Sequence, residues 1–198
     1  MSTCQPFSIM RLTHEAIRAG LREVSALANT ENEIDLNKLK QTYMDVKRTI
    51  ELHAKQENDV FYHALEEKSE GVSQAFVDEH EDEAEFFGQI DQAFEKAFED
   101  SINNGALVKL LNEWTDDHEH HLVHEESILM KILPKVFTYV ESVQVVKAII
   151  GHDLNEFENF QLSWVYNRLK EPQKEVYMGM LKGCSPENKY DDFLKKVA

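Results

Sequence analysis

Cysteine is scarce in this sequence: Cys4 and Cys184, near opposite ends, are its only two. They form neither a CxxC pair nor a multi-cysteine framework, which excludes a disulfide-stapled scaffold and fits a reducing compartment. Seven glycines and four prolines leave few places for tight hairpins, and long stretches rich in Glu, Lys, Leu and Ala replace them. That composition reads as all-α. Basic residues are also few, 21 Lys and Arg against 37 Asp and Glu, for a formal net charge of -16. Such a surface repels nucleic acid and anionic membrane and makes cations the natural partners. No apolar run approaches 18 residues and no apolar N-terminal segment is present, so the expectation is a cytoplasmic protein, or a nuclear one in a eukaryote. With 198 residues, 42% of them hydrophobic, the chain is expected to form a single domain over 1-198.

What is present is helical periodicity. A first helix is expected over about 7–28, with Met10, His14, Ile17, Leu21, Val24 and Ala28 recurring at steps of four and three. Asp35 can cap a second helix carrying Leu39, Tyr43, Val46, Ile50, His53, Glu57, Val60 and Ala64 on its stripe, closed by Ser69-Glu70-Gly71. A third, about 72–100, places His80, Ala84, Phe87, Phe94 and Phe98 on one side. After the turn Asn103-Asn104-Gly105 comes a fourth, with Leu107, Leu111, Trp114, His118, His121, Glu125, Ile128 and Ile132, which Pro134 should kink or end. Ser142 is placed to start a fifth helix ending near Lys170, Pro172 suits the first turn of a sixth, and Ser185-Pro186-Glu187 a short seventh. The division is therefore a four-helix bundle over 7-137 and a C-terminal helical extension over 138-198.

Polar residues on apolar stripes need a reason. His14 followed by His53-x3-Glu57 is answered by His80 followed by His121-x3-Glu125, offset by 66 residues for the lone histidines and 68 for both members of the pairs. Two such helical hairpins bring four imidazoles and two carboxylates into one core. Any one of these histidines alone reads as a hydrogen-bonded core residue or a partly exposed side chain rather than a ligand. The joint pattern reads otherwise, because burying two ionised glutamates without positive charge costs several kcal/mol each, and no Lys or Arg shares their stripes. A pair of intermediate metal ions resolves the conflict. Imidazole with carboxylate suits iron, with manganese or zinc as alternatives, whereas magnesium or calcium would call for an all-oxygen shell. A ferritin-type centre uses Glu-x-x-His and a zincin His-Glu-x-x-His; neither spacing occurs.

The other histidines are less constrained. His118 lies on the fourth stripe one turn before His121, either as an extra imidazole ligand or as a hydrogen-bond partner of one. His120 and His124 lie on a neighbouring face and read as solvated or in contact with the tail; His63 and His152 are off the pattern, although His152 could cover the site. Tyr43 reads as a core aromatic with a satisfied hydroxyl. The acidic run from Glu79 to Glu85 reads as a solvated face, and only secondarily as an entry path for iron.

The lone His followed by His-x3-Glu, twice over, at His14, His53, Glu57, His80, His121 and Glu125, resembles the hemerythrin-like (HHE cation-binding) family over about 7–137. The segments HAKQENDVFYHAL, EHEDEAEFF and HHLVHEESILMKILPKVF look like the hemerythrin domains of BRUTUS-type iron-sensing ubiquitin ligases of plants and algae. The resemblance implies an up-down four-helix bundle around two Fe ions with a bridging oxo or hydroxo group, binding O2 or a related small molecule, and a protein partner if the chain is a domain of such a ligase. The chain departs from oxygen-carrying hemerythrins, which present His-x3-His on the third helix, because Ala84 occupies the second of those positions; one iron is therefore expected to lack an imidazole unless His118 supplies it, which argues against reversible oxygen carriage in the classical manner. Zinc-finger and RING cysteines are absent from this sequence. The function expected is a non-enzymatic di-iron module sensing or handling iron and oxygen; the alternative is a di-iron enzyme acting as a ferroxidase or scavenging peroxide or nitric oxide.

Overall fold

A computed structural model describes residues 6–99, 104–151, 160–185 and 187–197. Among them there is no strand. Four long helical segments run up and down: α1 (Ser8–Ala28), α2 (Leu36–Gln56) with its continuation α3 (Tyr62–Glu66), α4 (Gln74–Glu99) and α5 (Gly105–Val136). Packing of α1 on α2 and α5, and of α4 on α5 and α2, closes the bundle. Asp35 caps α2 as its sequence position implies, accepting a hydrogen bond from Lys38 N at 3.0 Å. Buried Ile17, Leu21, Val24, Tyr43, Val46, Ile50, Phe94, Leu107, Leu111 and Trp114 fill the end of the bundle remote from the carboxylates.

The second helix departs from simple periodicity at the residue that matters most. Glu57–Phe61 forms a π-helical turn, in which Tyr62 N donates to Glu57 O five residues back. One extra residue in the turn rotates the following stripe by one position, so Phe61, Tyr62 and Leu65 are buried in place of the expected Val60 and Ala64. The segment closes at Glu66, earlier than Gly71. Gly71, at φ 78, instead shapes the loop, where its N–H and that of Ser73 donate to the Glu66 carboxylate at 2.6 and 2.8 Å. On α4 the buried positions run Phe76, His80, Phe87, Ile90, Phe94 and Ala97, with Ala84 and Phe98 outside. On α5 the stripe drifts to Leu129 and Leu133 rather than Ile128 and Ile132, and the helix stops two residues after Pro134.

The extension consists of α6 (Tyr139–Gly151), α7 (Phe160–Arg168), α8 (Glu171–Cys184) and α9 (Glu187–Val197). The join within the expected fifth helix, and with it His152, lies outside the described residues, as do Cys4 and Pro186. Pro172 sits in the first turn of α8. The tail covers α1: at Gly20 a Cβ would come within 2.8 Å of Val46 Cγ2 and 2.9 Å of the Trp164 ring, so the missing side chain is what admits Trp164. Arg168 stacks on that indole with its Cζ 3.9 Å from the ring centroid and pairs with Glu23 on α1 at 2.8 Å. Among the described residues no helix is long and apolar enough to cross a membrane.

Candidate metal centre

The π turn and the middle of α5 bring Glu57 and Glu125 into the bundle interior, 2% and 0% exposed. On one side of them α1 supplies His14 and α2 supplies His53. Their Nε2 atoms are 3.0 Å apart; His14 Nε2 lies 3.2 Å from Glu125 Oε2, and His53 Nε2 lies 3.2 Å from Glu57 Oε1. One ligating atom from each of these four side chains lies within 4.8 Å of every other. Two nitrogens and two carboxylate oxygens so close, all buried, form a donor set suited to a borderline divalent ion.

On the other side α4 supplies His80 and α5 supplies His118 and His121. His80 Nε2 is 3.7 Å from Glu57 Oε2, and the ring of His121 lies 4.8 Å from that of His80 and 5.5 Å from that of His118, centroid to centroid. The outer nitrogen of most of these imidazoles is held by an acceptor. His14 Nδ1 lies 2.9 Å from Glu126 Oε1, His80 Nδ1 3.0 Å from Asn58 Oδ1 and His121 Nδ1 2.6 Å from Glu79 Oε2, while His118 Nδ1 is close to Glu83 Oε1, at 2.7 Å, without hydrogen-bond geometry. An acceptor on Nδ1 fixes the proton there and leaves Nε2 with its lone pair, the form in which imidazole ligates a metal. Glu126 is steadied by Arg18 Nη1 at 2.9 Å, and Glu83 accepts from Trp114 Nε1 at 3.0 Å. Tyr62, turned inward by the π turn, donates to Glu125 Oε1 at 2.6 Å.

Several polar atoms remain orphaned. Both Glu57 oxygens, Glu125 Oε2, His121 Nε2 and both ring nitrogens of His118 are buried without a hydrogen-bond partner. Unpartnered buried polar atoms are rare and costly, so a cluster of them converging on one region fits a cation better than an empty core. Burial, then the neighbouring Glu125 charge, pushes the Glu57 pKa well above the carboxylate range. For Glu125 the burial effect is outweighed by His14, His53 and His121, which hold it low. Burial drives His53 well down and His80 down to about 4, keeping both neutral. Burial acts the same way on His14, yet its hydrogen bonds to Glu125 and Glu126 prevail and raise it.

The sequence that builds this bundle matches a known family. The hemerythrin HHE cation binding domain family model matches residues 5–133. The chain belongs to this family. Zinc finger protein BRUTUS of Arabidopsis thaliana is 23% identical over 189 residues, which cover 93% of this chain but 15% of that protein. No solved structure matches the chain.

Within this hemerythrin-type bundle, several neighbours of the candidate ligands were not legible in the sequence. Glu79 and Glu83 belong to the acidic run expected to be solvated; instead Glu79 accepts from His121 and His124, and Glu83 takes the inward position next to His118. For Glu83 the signal was the α4 stripe itself, since 76, 80, 83, 87 is the better helical row and Ala84 falls outside it, whereas Glu79 lies off that row. Tyr62 and Asn58 depend on the π turn, which no spacing rule announces. Tyr43 is the core aromatic expected, its hydroxyl 3.4 Å from Phe87 O and its ring 5.4 Å from Trp114. Of the off-pattern histidines, His120 and His63 are exposed, and His124 is half-exposed on Glu79. Together Glu79, Asp82, Glu83, Asp117, His118 and His124 line an open cleft of about 530 Å³ between α4 and α5.

Proposed function

We propose that this chain holds two metal ions, iron foremost, and that it senses or handles iron and a small molecule such as O2. His14 and His53 would hold one ion, His80, His118 and His121 the other, with Glu57 and Glu125 shared between them. The observation carrying this reading is that orphaned inward imidazole and carboxylate atoms face one another, while Glu126, Asn58 and Glu79 hold the outward nitrogens of His14, His80 and His121. The carboxylates of Glu57, Glu125, Glu126, Glu79 and Glu83 outnumber the guanidinium beside them, Arg18, which also pairs with Glu119, so the site carries a surplus of negative charge that cations would offset.

Bound iron would supply redox chemistry and open coordination positions; the protein supplies the rest. Its acceptors fix the imidazole tautomers, Tyr62 holds Glu125 in place, and helices from both halves are tied to one point. Because binding neutralises buried carboxylates that otherwise oppose folding, occupancy couples to the stability of the bundle and can be read by a protein partner. Metal analysis after anaerobic iron reconstitution, with optical spectra before and after air exposure, tests the reading. Two irons per chain and a spectrum that changes with air are expected; a chain that retains no iron refutes it. Limited proteolysis tests sensing, which is sunk by equal protease resistance with and without iron. The cleft that reaches His118 and His121 favours a second reading, a di-iron ferroxidase or a scavenger of peroxide or nitric oxide. Steady-state turnover abolished in Glu57→Ala would select it.

A further inference from the structure

The extension adds something to the site that the matched bundle, ending at 133, does not contain. Helix α7 turns Gln161 inward: the residue is 8% exposed, and its Nε2 is buried with no hydrogen-bond partner. Its position is set by Trp164, one helical turn on, locked over Gly20 and under Arg168. Gln161 lines a cavity of about 30 Å³ whose other walls include His53 and Glu57 from the bundle, Ile149 and Ile150 from α6, and Tyr177 from α8. A space of this size holds a water or two, or one molecule of two or three atoms, and nothing much larger. Among the described residues that line it Glu57 is the one acidic side chain and none is Lys or Arg, in contrast to the acidic cleft on the far side of the bundle.

We propose that Gln161 is a ligand-binding residue: its Nε2 donates a hydrogen bond to a small hydrogen-bond-accepting molecule admitted at the His14–His53 end of the metal pair, and the tail helices around it set the size limit. This inference rests on the metal-pair reading above. It assigns the two faces of the centre different traffic. Cations meet the acidic α4–α5 cleft, and small neutral or anionic ligands meet the roof formed by α6, α7 and α8. Thr13, Gln56 and Tyr177 also line the cavity, but among the described residues Gln161 Nε2 is the lining amide nitrogen that is buried and unpartnered. Such a donor favours a ligand with an electron-rich terminal atom over an equally small one without it, since leaving the donor unpaired wastes its desolvation.

Azide is the probe, titrated into the iron-loaded full chain and followed by its charge-transfer absorbance and infrared stretch. Gln161→Leu should weaken azide binding about tenfold, the factor that corresponds to loss of one hydrogen bond to a charged group. Iron content and the azide-free spectrum should stay as in the wild type. The azide stretch should shift between H2O and D2O by more in the wild type than in Gln161→Leu. Gln161→Met, with similar length and no donor, gives the same comparison if the leucine variant folds poorly. Asp82→Asn, in the opposite cleft, should leave azide affinity unchanged. Azide affinity within twofold of wild type in either Gln161 variant, with iron retained, overturns the role of Gln161 and leaves the metal pair standing. Wild-type chain that binds no iron overturns both.

Discussion

Glu57→Gln keeps the shape of the side chain at the middle of the site and removes its charge, so it separates what the carboxylate does for the fold from what it does for a metal. Glu57 is 2% exposed, and both oxygens lack a partner. Burial and then Glu125 hold its pKa well above 4.5. With the folded-state pKa raised, its contribution to stability is fully present below pH 4.5 and is lost as pH rises toward the folded value. At pH 7 that loss is capped at about 3 kcal/mol, the cost of keeping a proton on a glutamate of ordinary pKa across the interval. The neutral amide escapes this, but costs about 1–3 kcal/mol if its own groups stay unpaired. Metal-free Glu57→Gln should therefore be more stable than the wild type by about 1 kcal/mol at pH 7, roughly 2–4 °C for a chain of this size, with no gain at pH 4.5. With iron the order reverses, because the wild type gains about 4 kcal/mol at a thousandfold excess over Kd and the variant does not. Denaturation followed by helical circular dichroism, on chelator-treated and iron-reconstituted protein at both pH values, reads all four states. A metal-free variant less stable than the wild type at pH 7, or one stabilised equally by iron, would refute the reasoning.

Other perturbations probe the surroundings. His118→Ala should lower iron from two to one per chain by metal analysis, while His124→Ala, on the exposed side of Glu79, should leave two; equal iron content in both variants would remove His118 from the site. Gly20→Ala gains about 1 kcal/mol of helix propensity, but its Cβ would meet Val46 and Trp164 at under 3 Å, an overpacking cost of about 1–3 kcal/mol. It should shift Trp164 fluorescence to the red as α7 lifts, and an unchanged emission with higher stability would show that the tail is not seated there. Glu141, which pairs with Lys68 at 2.6 Å and accepts from Thr138 N at 2.8 Å, is held down to about 2. Its contribution is present above about pH 4.5 and lost as pH falls from there to about 2, so Glu141→Gln should flatten the acid side of the stability profile in that window. A carboxyl NMR titration with an ordinary midpoint at Glu141 would contradict this.

The sequence by itself determined the all-α bundle and the row of polar residues inside it. Helical period is written in local spacing, and the twofold recurrence of His, His and Glu needed only counting. Caps and stops such as Asp35 and Pro172 were equally local. What the tertiary structure decided lies where the period breaks or where partners come from distant helices. The π turn at Glu57–Phe61 moved burial from Val60 and Ala64 to Phe61 and Leu65 and swung Tyr62 onto Glu125, because one inserted residue rotates everything after it. Glu79, Glu83 and Glu126 look like surface charge in a list of residues, and only packing shows each against an imidazole nitrogen. Gln161 carries no signal in its own segment. Its meaning arises from a glycine on α1 that admits Trp164, and so from contacts between residues more than a hundred positions apart, which no local pattern encodes.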